Sequence, residues 1–237
     1  MTIHARDDED DYFYATGRES RAIYALVQHR AMQPDVLADF LGTGRNHVYE
    51  MLTRLHNGGM VHPLTKISAG PKWIVPTRKA VAQVFGHSMP DWQPSRLWSA
   101  RGRAIAQVRI ALGATGWSDW ESERELHYDN DHRGTYPYDG RLILGGALVA
   151  VKVDTSNYTP PSKLAEILVR TIRAAADPGS GLLYVCAGDT KPETVVRTVD
   201  ELTRRGVLDN GALKVAAVDF DDLTDPAIPV LTPWGVA

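Results

Sequence analysis

The segment at 136–158, YPYDGRLILGGALVAVKVDTSNY, sets two acids and a lysine on what reads as a pair of short strands. Phosphodiester hydrolysis needs carboxylates converging on Mg²⁺ and a cation beside the attacking water or the phosphate. Alternate residues of a strand point to one face, so Lys152 and Asp154 project together. If the preceding strand pairs with theirs, Asp139 joins them, and Glu123 on a helix upstream would add a ligand or a supporting carboxylate. Lys152, however, stands where an acid would be expected. A lysine there can neutralise the site as a Lys152–Asp139 or Lys152–Asp154 ion pair.

The elements that must position these residues follow from patterning. In the second half, strands are expected at 140–144 and 148–153, then a helix from about 162, the apolar strand LLYVC, a helix at 192–205 and a last strand, LKVAAVDF. Short, continuous apolar strands alternating with helices suit a central sheet covered on both faces. Upstream, a helix at 101–112 leads into WSDWESERELH.

The first half is different. Helices are expected at 19–32, over PDVLADFLG with Pro34 at its start and Gly42 at its end, and at 44–57. Two short strands, MVHPL and WIVPT, flank a Gly-Pro turn, and a fourth helix is expected at 78–86. Three helices followed by a hairpin is the winged helix-turn-helix arrangement. SMPDWQPS at 88–95 has two prolines and no periodicity, which marks it as a linker. The expected fold class is therefore α+β or α/β, in three parts: an acidic tail at 1–17, a winged helix-turn-helix with its linker at 18–95, and a mixed-sheet domain at 96–237.

Composition narrows the partners. Hydrophobic residues at 43% and charged residues at 23% are values of a globular rather than a disordered chain. The net charge of −3 gives no global attraction to polyanions. Residues 18–90 nevertheless carry nine Lys/Arg against four Asp/Glu, a local +5 that leaves −8 for the remainder. Any nucleic-acid surface is thus local to the first half. The single cysteine, Cys186, excludes a disulfide framework and a thiolate zinc site, and reads as a small buried residue of a strand. No apolar run approaches the roughly 20 residues of a membrane span, and the start MTIHARDDEDDYF lacks the pattern of a signal peptide. A cytoplasmic protein without a membrane partner is expected.

In a helix-turn-helix the second helix of the motif enters the major groove. Here that is the helix at 44–57. Val48, Met51, Leu52 and Leu55 recur at helical spacing and face the core, which turns Arg45, Asn46, Tyr49, Thr53 and Arg54 outward, with His47 at the margin. Arginine pairs with guanine and asparagine with adenine, while Tyr, Thr and His reach bases or phosphates. Lys66 and Lys72 flank the Gly-Pro turn, where phosphate contact is their role. Glu50 on the same face opposes a phosphate surface.

Three further stretches carry a resemblance: WESEREL at 120–126, PYDG at 137–140 and VAVKVD at 149–154. In this order, behind a winged helix, the chain resembles the replication-relaxation family of plasmids, conjugative elements and phages over about 18–202. That resemblance implies a restriction-endonuclease-like second domain and a double-stranded DNA partner. It also implies a role as transcriptional regulator or as accessory in replication or DNA transfer, with a homodimer or other replication and transfer proteins as further partners. The chain departs from the pattern. In the endonuclease pattern an acid comes first and lysine follows two residues later, and the family typically keeps an acid at the first position, whereas here Lys152 precedes Asp154, and Tyr138 interrupts the Pro-Asp step.

Glu123, Asp139, Lys152 and Asp154 are accordingly read as the remnant of a catalytic site, with no cofactor. The alternative is a Mg²⁺-dependent nuclease or nickase on a rearranged site, and a module for protein contacts is a third class. HYDNDHRG at 127–134 reads as a polar loop rather than a metal cluster, GTGRNH and GATGWS lack phosphate-loop spacing, and DFDDLTD reads as a solvated turn.

Overall fold

The computed structural model describes residues 17–67, 70–90, 92–129, 137–177, 179–209, 213–229 and 231–236. The acidic run at 7–11 and residues 130–134 of the polar loop lie outside these.

The first half builds α1 (Gly17–His29), α2 (Pro34–Leu41), α3 (Arg45–Asn57) and α4 (Arg78–Phe85) around one apolar cluster. Pro34 opens α2 at a position whose N–H needs no helical partner, and Gly42, at φ 62, closes it by donating to Ala38 and Asp39. Helix α1 ends at His29 rather than at 32, because Arg30 adopts the left-handed conformation, φ 67. The two expected strands are reduced to single bridges, Thr65 with Trp73 and Val61 with Pro76. A third bridge, Met32 with Ile74, ties this hairpin to the α1–α2 turn through two backbone hydrogen bonds.

Helix α5 (Arg96–Ala111) starts earlier than expected, where the Ser95 hydroxyl accepts from the Trp98 N–H. Strand β1 (Glu121–Ser122) and helix α6 (Glu123–Asp129) follow, then β2 (Gly140–Leu144) and β3 (Ala147–Asp154). Leu144 pairs with Ala147, so Gly145 and Gly146 form a two-residue turn, and both take the positive φ such hairpins require. Helix α7 (Pro161–Ala175) crosses to β4 (Gly181–Cys186), and α8 (Pro192–Arg204) crosses to β5 (Lys214–Asp219).

The five strands lie in sequence order. β1, β2 and β3 are antiparallel, while β3, β4 and β5 are parallel, so the chain is α+β with a mixed sheet. Strand alternation sorts the two faces. Ala150, Leu182, Tyr184 and Cys186 pack toward α6, α7 and α8, whereas Val149, Val151, Val153, Leu183 and Val185 pack toward α5. Cys186 is buried.

The DFDDLTD stretch is not a solvated turn. It forms α9 (Phe220–Thr224), capped by the Asp219 carboxylate accepting from the Asp221 N–H at 3.0 Å, and its Leu223 packs on the α5 face of the sheet. A last hairpin of β6 (Leu231–Thr232) and β7 (Gly235–Val236) was not foreshadowed by the patterning.

Candidate functional site

On α3 the helical period separates two faces. Val48, Met51, Leu52 and Leu55 are buried in the cluster shared with α1 and α2. Arg45, Asn46, His47, Tyr49, Glu50, Thr53 and Arg54 are all exposed. Tyr49 is 48% exposed. The Thr53 hydroxyl donates back to the Tyr49 carbonyl at 3.1 Å, which holds it on the helix. Arg54 is tied by its Nε to the Glu19 carboxylate at 2.7 Å, so its charge is shared with α1 before any partner arrives. Lys66 and Lys72 are exposed on the two arms of the hairpin. Gly44 precedes α3 in extended conformation without a side-chain cap.

The second cluster lies where β2 begins and β3 ends. Asp139 continues the β2 ladder, donating its N–H to the Val151 carbonyl at 2.8 Å and accepting from the Glu123 N–H at 3.1 Å. Its side chain is 1% exposed, and both oxygens are occupied. Arg101 from α5 holds Oδ1, with its Nε at 3.2 Å. The Val153 N–H donates to Oδ2 at 2.7 Å, and the Lys152 ammonium lies 3.9 Å from the same atom. Of the two ion pairs open to Lys152, this is the one formed with Asp139. Burial brings the Lys152 pKa below its usual range against the pull of Asp139, while Asp139 raises that of Arg101.

Asp154 shares a face with Lys152 but is engaged elsewhere. It accepts from the Ser156 N–H, the Tyr184 hydroxyl and the Thr190 hydroxyl, each at 3.0 Å. Burial pushes its carboxyl up, but these bonds outweigh it and the pKa is lowered. Glu123 pairs with Arg30 at 3.1 Å, across to the first half of the chain. Tyr138, the residue interrupting the Pro-Asp step, is buried in the layer between sheet and helices. Gly140 is set by packing, since a Cβ there would collide with the Trp120 ring. Among the described residues no group of three or more His, Cys, Asp or Glu is placed to hold a metal.

Composition and period did not reveal Arg101, nor the set that locks the two halves together. Arg109 on α5 is fully buried. It donates to the Gln28 amide oxygen and the Ala114 carbonyl at 2.7 Å and to the Gly116 carbonyl at 2.9 Å, and its guanidinium lies over the Phe40 ring. Gln28 turns its NH₂ to the Trp120 carbonyl at 3.0 Å and to Glu125 at 3.2 Å. Arg103 holds Gln33 and Asp35. His29 lies buried against Trp120, and burial, then Arg109, keeps its imidazole well below the usual pKa. Within the stretch read as a linker, Met89 and Trp92 are packed into the apolar clusters, with Trp92 edge-on to Trp98 at 4.5 Å.

No family model matches the chain, and no curated protein matches it. Among solved structures it is similar to protein VC1899 from Vibrio cholerae, at 8% identity and a TM-score of 0.32, over 90% of this chain and 55% of that one. The chain thus spans little more than half of that protein's length, and likeness at this level assigns neither fold family nor role. No helix is long and apolar enough to cross a membrane among the described residues.

Proposed function

We propose that the chain binds double-stranded DNA in a sequence-dependent way through a winged helix-turn-helix formed by α1–α3 and the hairpin. The observation that carries the reading is the outward face of α3. Arginine, asparagine and tyrosine stand exposed on a helix whose other face is wholly buried, beside a hairpin with Lys66 and Lys72 on its arms. Such a helix presents bidentate donors to base edges, and the lysines supply phosphate contacts that fix register. Arg45, Asn46, Tyr49, Thr53 and His47 form the reading set. Arg54 contributes only if it leaves Glu19.

On this reading the sheet domain, restriction-endonuclease-like by resemblance, serves as a second surface or assembly platform. The chain then acts as a regulator of transcription or an accessory in replication or DNA transfer on a mobile element or phage, in the cytoplasm. Selection of bound genomic fragments followed by footprinting would supply the site. On that site, Arg45→Ala should weaken binding by about 1–3 kcal/mol and relax preference at one base pair. Equal loss on the selected and on random duplexes would refute base readout by Arg45.

The occupied oxygens of Asp139 favour an ion-pair cluster over a nuclease site, because Arg101, Lys152 and a backbone N–H already hold the positions that Mg²⁺ would need. Cleavage of supercoiled DNA with Mg²⁺ or Mn²⁺, abolished by Asp139→Ala in a variant that keeps its near-ultraviolet circular dichroism, would reverse that preference.

A further inference from the structure

Between the hairpin, α4 and α6 lies a cavity of about 480 Å³, within the size range of small-molecule sites. Its lining is divided about evenly between apolar and polar surface, the apolar part including Leu64, Val75, Met89 and Trp92. Among the described residues its charged lining is Arg30, Arg78 and Arg124. Arg124 is the unusual member. It is 4% exposed, its Nη1 donates to the Val27 carbonyl at 2.9 Å, its guanidinium lies over the Phe85 ring, and its Nε has no partner.

A guanidinium withdrawn from water and left with an unpaired N–H is costly unless an anion compensates it. The carboxylates whose charge acts on it are engaged elsewhere, Glu123 with Arg30 and Glu125 with Gln28 and Ser122. Burial, then the charge of Arg30, brings the Arg124 pKa down to about 10. A lining shared between apolar side chains and arginines is the complement of an amphipathic anion, whereas a bare inorganic anion would leave the apolar part unfilled.

We infer that this cavity binds a small organic anion, with a carboxylate, sulfonate or phosphate head toward Arg124 and Arg30 and an apolar body against Leu64, Met89 and Trp92. The site has a consequence that rests on the DNA-binding reading. Its walls include hairpin residues 63–65, next to Lys66, so an occupant braces the hairpin against the sheet half. A ligand that prefers the braced state must change DNA affinity by the same factor that DNA changes its own.

The probe is 8-anilinonaphthalene-1-sulfonate, whose fluorescence rises in apolar sites, set against N-phenyl-1-naphthylamine, the same rings without the sulfonate. We expect one sulfonate dye per chain and at least tenfold weaker binding of the neutral one. Arg124→Met should weaken the sulfonate dye at least tenfold, and Leu64→Trp, which fills the cavity without touching a charge, should do the same. If Arg124→Met fails to fold, as judged by near-ultraviolet circular dichroism, Leu64→Trp decides alone. Equal affinity for the two dyes, or an unchanged titration in Leu64→Trp, overturns the site. A duplex that displaces the dye one for one would place backbone phosphate in the cavity and overturn the small-molecule assignment. Failure of the chain to bind any duplex would sink the DNA-binding reading while leaving the dye result standing.

Discussion

On α3, Arg45, Asn46 and Tyr49 face solvent beside the exposed lysines of the hairpin, while at the end of β3 the charged residues Arg101, Asp139 and Lys152 close on one another. Both regions hold the residue types from which nucleic-acid chemistry is made. The difference is what the fold has already done with them. In the cluster, a carboxylate 1% exposed has both oxygens held, so a metal or water must first displace a partner. On α3 only Arg54 is so engaged, by Glu19, and removal of Arg45, Asn46 or Tyr49 should leave the fold intact. Polar groups that support the fold and polar groups held for a partner can thus be told apart by what breaks when they are lost.

The sharpest way to break the comparison is Asp139→Ala. It leaves the guanidinium of Arg101 and the largely buried ammonium of Lys152 without the carboxylate they share, and should lower stability by about 3–5 kcal/mol. Urea unfolding measures this. A loss below about 1 kcal/mol would mean that the cluster supports little and that its acid is available for other work.

The pH dependence comes next in size. His29 is buried with its pKa well below 6.5, so the unfolded chain takes up a proton that the folded chain refuses. Stability attributable to this residue is complete above pH 6.5 and is lost as pH falls from there toward the folded pKa, by up to about 1.4 kcal/mol per pH unit. The lowered Asp154 acts only below its ordinary value of 3.8, so the window between pH 6.5 and 5 isolates the histidine from that acid. His29→Gln should flatten the melting temperature across that window. An equally steep profile in the variant would assign the effect to another group.

What the sequence made legible follows from the same contrast. The buried face of α3 could be read because four apolar residues recur at the helical period, and the strands expected at 140–144 and 148–153, observed at 140–144 and 147–154, because alternation is a local signal. The start of α5 and the helix at 220–224 were missed or misread, since their caps, Ser95 and Asp219, are polar residues that also suit turns. Arg109 could not be foreseen. By type an arginine belongs at the surface, and its burial depends on carbonyls at 114 and 116 and an amide at 28 that only the tertiary fold assembles. Asp139 was singled out by its place before a strand, but its partner Arg101 comes from a helix 38 residues earlier with no sequence relation to it.

The smallest effects on the fold should come from the hairpin, and they test the exposed region most directly. Lys66→Ala and Lys72→Ala remove side chains that lie at the surface, so each should change stability by less than about 0.5 kcal/mol. If the lysines meet phosphate, each substitution weakens binding to every duplex alike and reduces the slope of log affinity against log salt by about 0.9. Fluorescence anisotropy across a salt series reads both quantities. An unchanged slope would remove the hairpin from the interface and leave α3 to bind alone, whereas a loss confined to one sequence would turn a positioning lysine into a reader of bases.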